Sequence, residues 1–219
     1  MNEIILILEA FLMFASLLLF KKLFGKTGLF LWIGLASVLA NIQVVKSIEV
    51  FDISATVGNV MFASVFLATD LLRECYGKEE AKKGVYIGAT SIILYLVCTQ
   101  LTLLYAPASF DISQSAMETL FSLSIRVCAA SLLMYVIANL LDVYIYDKLH
   151  CYFEGRKLWL RNNVSTIICN CLENFGFVFL AFAGVYPIEE VLMIAVSTCI
   201  IEIGIALCDT PFLYIGRKL

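Results

Sequence analysis

Charge is scarce in this sequence. Of its 219 residues 15% are charged and only 3 are proline, while 62% are hydrophobic. A soluble domain carries about a quarter charged residues and about half apolar ones, so a water-soluble globular fold is excluded. Also missing are a Gly-x-x-x-x-Gly-Lys-Ser/Thr loop, a His-Glu-x-x-His helix and a Gly-x-Ser-x-Gly elbow. Without the first of these, one chain cannot be an ATP-driven pump. The single histidine, His150, falls in a loop, and Cys169-x-Cys171 lacks a second ligand pair. No metal centre and no cofactor are therefore expected. The eight cysteines imply no disulfide framework. Cys98, Cys128, Cys169, Cys171, Cys199 and Cys208 lie in apolar runs, where a free thiol packs as a small hydrophobe, and Cys75 and Cys151 lie in basic turns.

What is present is a succession of long apolar runs, with a mean hydropathy of +0.94. They lack the period-2 alternation of barrel strands, and in hydrocarbon the backbone must satisfy its own hydrogen bonds, which predicts helices. The spans are Ile4 to Phe20, Gly28 to Val45, Val57 to Leu72, Gly84 to Tyr105, Thr119 to Tyr146, Val164 to Val185 and Val191 to Ile215. The first has no basic leader or cleavage signal and reads as a retained helix. The third is short enough to be re-entrant, and Lys46 to Thr56 reads as a short mixed linker. The expected fold class is an all-α integral membrane protein, a bundle of about seven transmembrane helices.

The basic residues give an internal check on that count. Alternate loops hold 3, 4, 4 and 2 Lys or Arg, the opposite side holds only Lys46, and Arg126 lies within a span. The positive-inside rule then predicts seven crossings of the inner (plasma) membrane, with the N-terminus outside and the C-terminus cytoplasmic. The basic residues of the turns read as topology determinants.

Charged and amide side chains inside the spans are costly, so a functional role is the first reading for each. Asn139 and Asp142 share one helix face, and Asn170, Glu173 and Asn174 share another by their i, i+3, i+4 spacing. Two neighbouring helices that each present an amide and a carboxylate could build a pocket for the edge of a planar heterocycle, or could hydrogen-bond only to each other. Arg126 keeps its charge and needs a carboxylate or a ligand acceptor, and Glu202 is either a site residue or its partner. Asp70, three residues from the end of its span, suits a gate or the organisation of the charged turn. Glu9 reads as an interfacial residue, and Asn41 with Gln43 occupies the outer third of the second span. No nucleophile, metal set or paired general base accompanies these carboxylates, so an enzyme is not expected. Ala36-x-x-x-Ala40 and Gly84-x-x-x-Gly88 allow close helix contacts within the bundle or between two copies, so a homodimer is compatible with the sequence.

Phe62, Phe66-Leu67-Ala68-Thr69-Asp70 and Tyr76-Gly77-Lys78 form one block of a pattern. Arg126-Val127, Leu141-Asp142-Val143-Tyr144, Ser165-Thr166, Asn170, Glu173 and Pro211 follow in order. Together they resemble the queuosine precursor transporter family of vitamin uptake transporters. The resemblance implies a six-helix core at residues 28–219 preceded by an extra N-terminal helix and basic turn at residues 1–27. It also implies import of a small-molecule substrate, a 7-deazaguanine base or queuine, for tRNA modification, with the lipid bilayer and no nucleic acid as partner. On that analogy Glu173 or Asp142 takes the donor edge of the base, and Asn170, Asn139 or Arg126 its acceptors. Phe62 or Phe66 stacks on the ring, and Asn41 is a further substrate contact. Asp70 and Glu202 would serve as gate or coupling residues. Alternating access, with proton entry through Asp142, Glu173 or Glu202, is the expected mechanism. The alternative is a substrate-binding membrane subunit that needs a separate ATPase. Ala63 stands where many relatives carry Pro, and Ile201-Glu202 where relatives often carry a Lys.

Overall fold

The structure, a computed structural model, describes residues 1–51, 53–121 and 125–219. Its first helix, α1 (Asn2–Gln43), is broken at Gly25, whose φ of 58° and ψ of −135° are tolerated by glycine because it has no Cβ. As one straight rod 42 residues would extend about 60 Å. Instead Gln43 Nε2 reaches Glu9 Oε1 at 3.5 Å, Asn2 Nδ2 donates to Glu49 O at 2.8 Å, and the Phe20 and Trp32 rings meet at 5.3 Å. The two arms, residues 2–24 and 26–43, are thus an antiparallel hairpin.

The segment expected as a short mixed linker forms a two-stranded antiparallel sheet, β1 (Ser47–Val50) and β2 (Ile53–Thr56), in register Ser47 to Thr56 and Val50 to Ile53. It caps the end of the bundle that carries the N-terminus, where Phe51 N donates to Glu3 Oε1 at 3.3 Å. There follow α2 (Asn59–Tyr76), α3 (Lys78–Leu104), the short exposed α4 (Gln114–Phe121), α5 (Ile125–Tyr152), α6 (Leu158–Phe182) and α7 (Ile188–Lys218). The span expected from Thr119 to Tyr146 runs on into its basic turn, as far as Tyr152. Arg126 lies on α5 and is exposed.

Among the described residues five helices, α1, α3, α5, α6 and α7, are long and apolar enough to cross a membrane. Their outward faces carry large apolar side chains, among them Leu8, Phe11, Leu94, Leu101, Ile200 and Leu207, the surface that lipid stabilises and water does not. The 18-residue α2 is of another kind. It carries Asp70, Arg73 and Glu74 and packs against α1, α3, α5 and α7, burying every residue from Asn59 to Leu72 except Phe62, which is partly buried. A helix wrapped on all sides by helices can carry polar groups that a lipid-facing one cannot.

Small residues bring these helices close. A Cβ on Gly84 would lie 2.8 Å from both Ile33 Cδ1 and Leu72 Cδ1, and Gly88 abuts the ring of Tyr135. Ala36 and Ala40 are buried as well. Both small-residue pairs pack inside this chain.

Candidate functional site

Among the described residues these carboxylates are buried within the helical bundle away from its basic end: Asp70 on α2, Asp142 on α5, Glu173 on α6, and Glu202 and Asp209 on α7. None is more than 9% exposed. They sort into two groups along the bundle. In the first, Asp70 and Asp142 face each other and Asp209 approaches both. Asn162 Nδ2 donates to Asp209 Oδ1 at 2.8 Å, and Ser165 Oγ, bonded to Asn162 O at 3.2 Å, completes the α6 side.

In the second group Asn174 Nδ2 donates to Glu202 Oε2 at 2.5 Å and Glu173 lies beside Glu202. Glu173 Oε2 and Asn170 Oδ1 are buried without a hydrogen-bond donor. Between the groups are the side chains of Phe66, Ala138 and Cys169, which pack together with Phe62, and the Phe62 ring meets Phe66 at 5.6 Å and Tyr135 at 6.1 Å. Tyr135 in turn neighbours Glu173. Acceptor-rich polar groups at both ends of a short aromatic wall can hold a flat molecule by its edge and its face. At 9% exposure or less the carboxylates are enclosed, and depressions of about 500 and 420 Å³ on the surface are lined by neither group.

The basic end of the bundle is closed by ion pairs. Glu74 on α2, its side chain 2% exposed, accepts from Arg161 Nη1 of α6 at 3.1 Å, Tyr146 Oη of α5 at 3.1 Å and Arg217 Nε of α7 at 3.2 Å. His150 stands against Arg161 and 3.8 Å from Glu74. Alongside, Asp147 pairs with Arg73 and, at 3.0 Å, with Lys78. Lys21, buried, donates to Gly216 O at 2.5 Å, and Lys26 pairs with Glu80 at 3.0 Å. All four basic loops of the sequence therefore meet at one end of the molecule.

The family model described as "Putative vitamin uptake transporter" matches residues 56–216, most of the chain and all the helices that hold these carboxylates. The chain belongs to the vitamin uptake transporter family. It is 43% identical to the "Probable queuosine precursor transporter" of Bacillus subtilis (strain 168) over 219 residues, covering 100% of this chain and 96% of that protein. The "Queuosine precursor transporter" of Escherichia coli (strain K12) is 26% identical over 155 residues, with 69% and 67% of the two chains covered. A Haemophilus influenzae relative of the same kind is 28% identical over 133 residues, with coverage of 60% and 54%. No solved structure matches.

In this transporter the residues expected to form the site separate into those that meet and those that do not. Asn139, Asp142, Asn170 and Glu173 are all buried between α5 and α6, with Phe62 and Phe66 opposite them on α2. Asn139 Nδ2 bonds to Tyr135 O at 2.9 Å and leaves its Oδ1 open. Asn41 is half-buried and donates to Ser37 O of its own helix at 2.8 Å. Arg126 does not pair with Glu202. Its guanidinium donates to Leu180 O and Ala183 O, both at 2.7 Å, capping the unpaired carbonyls at the end of α6. Glu202 has Asn174 instead.

Asp70 lies deeper than its expected place near a helix end, because α2 continues to Tyr76. One turn further on, Glu74 holds the ion pairs of the basic end. Asp209, Asn162, Glu74 and Arg161 went unrecognised. Asp209 had a signal, as an acid within an apolar run. Arg161 had none, since a basic residue near a turn looks the same whether it meets water or, as here, a buried carboxylate.

Proposed function

We propose that this chain is a membrane uptake transporter for 7-deazaguanine bases or queuine, the precursors of queuosine. The observation that carries this reading is the enclosed set Asn170, Glu173, Asn174 and Glu202 beside Phe62, Phe66 and Tyr135. A guanine-like edge offers N1–H and an exocyclic amine, which one carboxylate accepts as a bidentate pair, while O6 seeks an amide donor such as Asn170 or Asn139. The names of the three relatives point to the same substrate class.

Transport by alternating access fits the enclosure. With the carboxylates out of reach of solvent, a ligand enters or leaves only if helix ends part. The Glu74, Arg161, Tyr146 and Arg217 contacts are the latch on the basic end, and that end faces the cytoplasm, with seven crossings and the N-terminus outside. The α1 hairpin supplies two crossings and α2 the buried third. The core at residues 28–219 then holds six crossings, with the N-terminal arm as the addition. A carboxyl among Asp142, Glu173 and Glu202 that changes protonation as the site opens would couple uptake to proton entry.

The test is uptake of labelled deazaguanine in cells lacking both synthesis and salvage of the base. Expression of this chain should restore accumulation and the modified tRNA nucleoside. Accumulation that stays at the level of the empty vector would end this reading.

A further inference from the structure

We propose that Cys171 on α6 and Cys199 on α7 are a modification site, a thiol pair that a lipid-soluble hydroperoxide converts to a disulfide, and that this bond locks the α6–α7 seam beside the buried carboxylates. The pair stands on its own geometry. Only its effect on a ligand rests on the deazaguanine reading above.

The two sulfurs meet at 2.9 Å across the seam, and both thiols are free. A disulfide holds its sulfurs at about 2.05 Å, so closure needs an approach of about 0.9 Å. The helices are already held together on either side of the pair. Toward the basic end Asn162 Nδ2 donates to Asp209 Oδ1 at 2.8 Å and Asn163 Nδ2 to Thr210 Oγ1 at 2.9 Å, and beyond the thiols Asn174 Nδ2 donates to Glu202 Oε2 at 2.5 Å. The bond would therefore join helices that are in contact along the whole seam. A shared metal ion is a poorer fit, because two thiolates leave its other positions unfilled and no three His, Cys, Asp or Glu among the described residues are placed to hold one.

The pair also has a way in. Cys199 is buried while Cys171 is partly exposed, and Ile168 and Leu172 of α6 and Val196 and Ile200 of α7 face outward around them. That surface suits lipid, so an apolar oxidant reaches Cys171 first and Cys199 is the resolving thiol. The Cys171 sulfur attacks the terminal oxygen of the hydroperoxide, and the O–O bond breaks. The thiol proton passes to the departing oxygen, which leaves as an alcohol, and Cys171 becomes a sulfenic acid. The Cys199 sulfur then displaces the hydroxyl, which takes the second thiol proton and leaves as water. Two thiols have lost two hydrogens and two electrons, and one hydroperoxide has been reduced to alcohol and water.

The bond falls beside the candidate site. Cys171 is one turn before Asn174, and Cys199 is one turn before Glu202. Admitting a base to the Glu173 and Glu202 acceptors draws Asn174 away from Glu202, and a covalent link one turn off resists that separation.

The experiment treats the purified full-length protein with cumene hydroperoxide and follows it by peptide mapping, thermal unfolding and equilibrium binding of 7-cyano-7-deazaguanine. Peptides joined through Cys171 and Cys199, and separated again by a phosphine reductant, are expected. The unfolding midpoint should rise with the bond and fall back on reduction. Affinity for the base should drop at least about 10-fold and return. Cys171→Ser with Cys199→Ser should bind the base as the reduced wild type does, before and after the oxidant. If that double variant does not fold, the wild type before oxidation and after reduction is the control. Absence of the joined peptides, or linkage through other cysteines, overturns the modification site. A linked protein whose midpoint stays or falls, or which binds the base as tightly as the reduced form, overturns the lock. Binding of the base by neither form removes the deazaguanine reading, and the peptide map and the midpoint still decide the pair.

Discussion

Glu74 Oε2 lies 3.1 Å from Arg161 Nη1, with both side chains sealed from solvent at one end of an apolar bundle. The pair joins α2 to α6, and Tyr146 and Arg217 draw α5 and α7 onto the same carboxylate. Losing Arg161 leaves the buried Glu74 carboxylate to Tyr146 and the half-exposed Arg217. Arg161→Met is expected to lower stability by about 1–3 kcal/mol. The double variant Glu74→Gln with Arg161→Met should recover much of that loss, since no bare charge remains. Thermal unfolding of the detergent-solubilised variants measures both, and a double variant no more stable than the single would argue against the pair.

Glu173→Gln keeps the shape of the site and removes one acceptor charge. Substrate affinity should fall by roughly 10- to 100-fold, the range of a charge-assisted hydrogen bond. The unfolding temperature should hold or rise, because Glu173 Oε2 has no donor within the protein. Affinity equal to wild type would remove Glu173 from the site.

Gly25 turns the α1 hairpin at a φ of 58°. Gly25→Ala should cost about 1–3 kcal/mol through backbone strain. The hairpin itself is open to a geometric check. Cysteines replacing Glu9 and Gln43, whose side chains meet at 3.5 Å, should be joined by a short bifunctional maleimide. A continuous straight helix would leave them uncrosslinked.

Cys151 is exposed at the basic end, beside the turn after α5. With the other exposed thiols, Cys98 and Cys208, replaced by alanine, a membrane-impermeant maleimide should label Cys151 only in permeabilised cells. Labelling of intact cells would reverse the orientation proposed here.

Gly88 admits the ring of Tyr135, whose hydroxyl is 3.4 Å from Ser37 Oγ. Gly88→Val should push the ring away from α3 and, through its neighbour Glu173, weaken substrate binding as well as stability. Tyr135→Ala in the same background should recover stability and not binding. Equilibrium binding and thermal melting distinguish the two effects.

The membrane class, the apolar helices and the gathering of basic loops at one end were legible in the sequence. They depend on composition and on patterns local along the chain, since hydrocarbon forces backbone hydrogen bonds to close within a helix. That Asn139 shares a buried face with Asp142, and Asn170 with Glu173, was legible for the same reason, because a helix places residues three and four apart on one face without help from the rest of the fold. Which charges meet was decided by tertiary structure alone. Nothing local tells Arg161, paired and buried, from Arg156, exposed and paired only to Glu154 two residues away. Arg126 met the carbonyls at the end of α6 and Asp70 met Asp142 because helix register fixes each partner. Small residues such as Gly84 and Gly88 bring the helices close enough for those contacts to form.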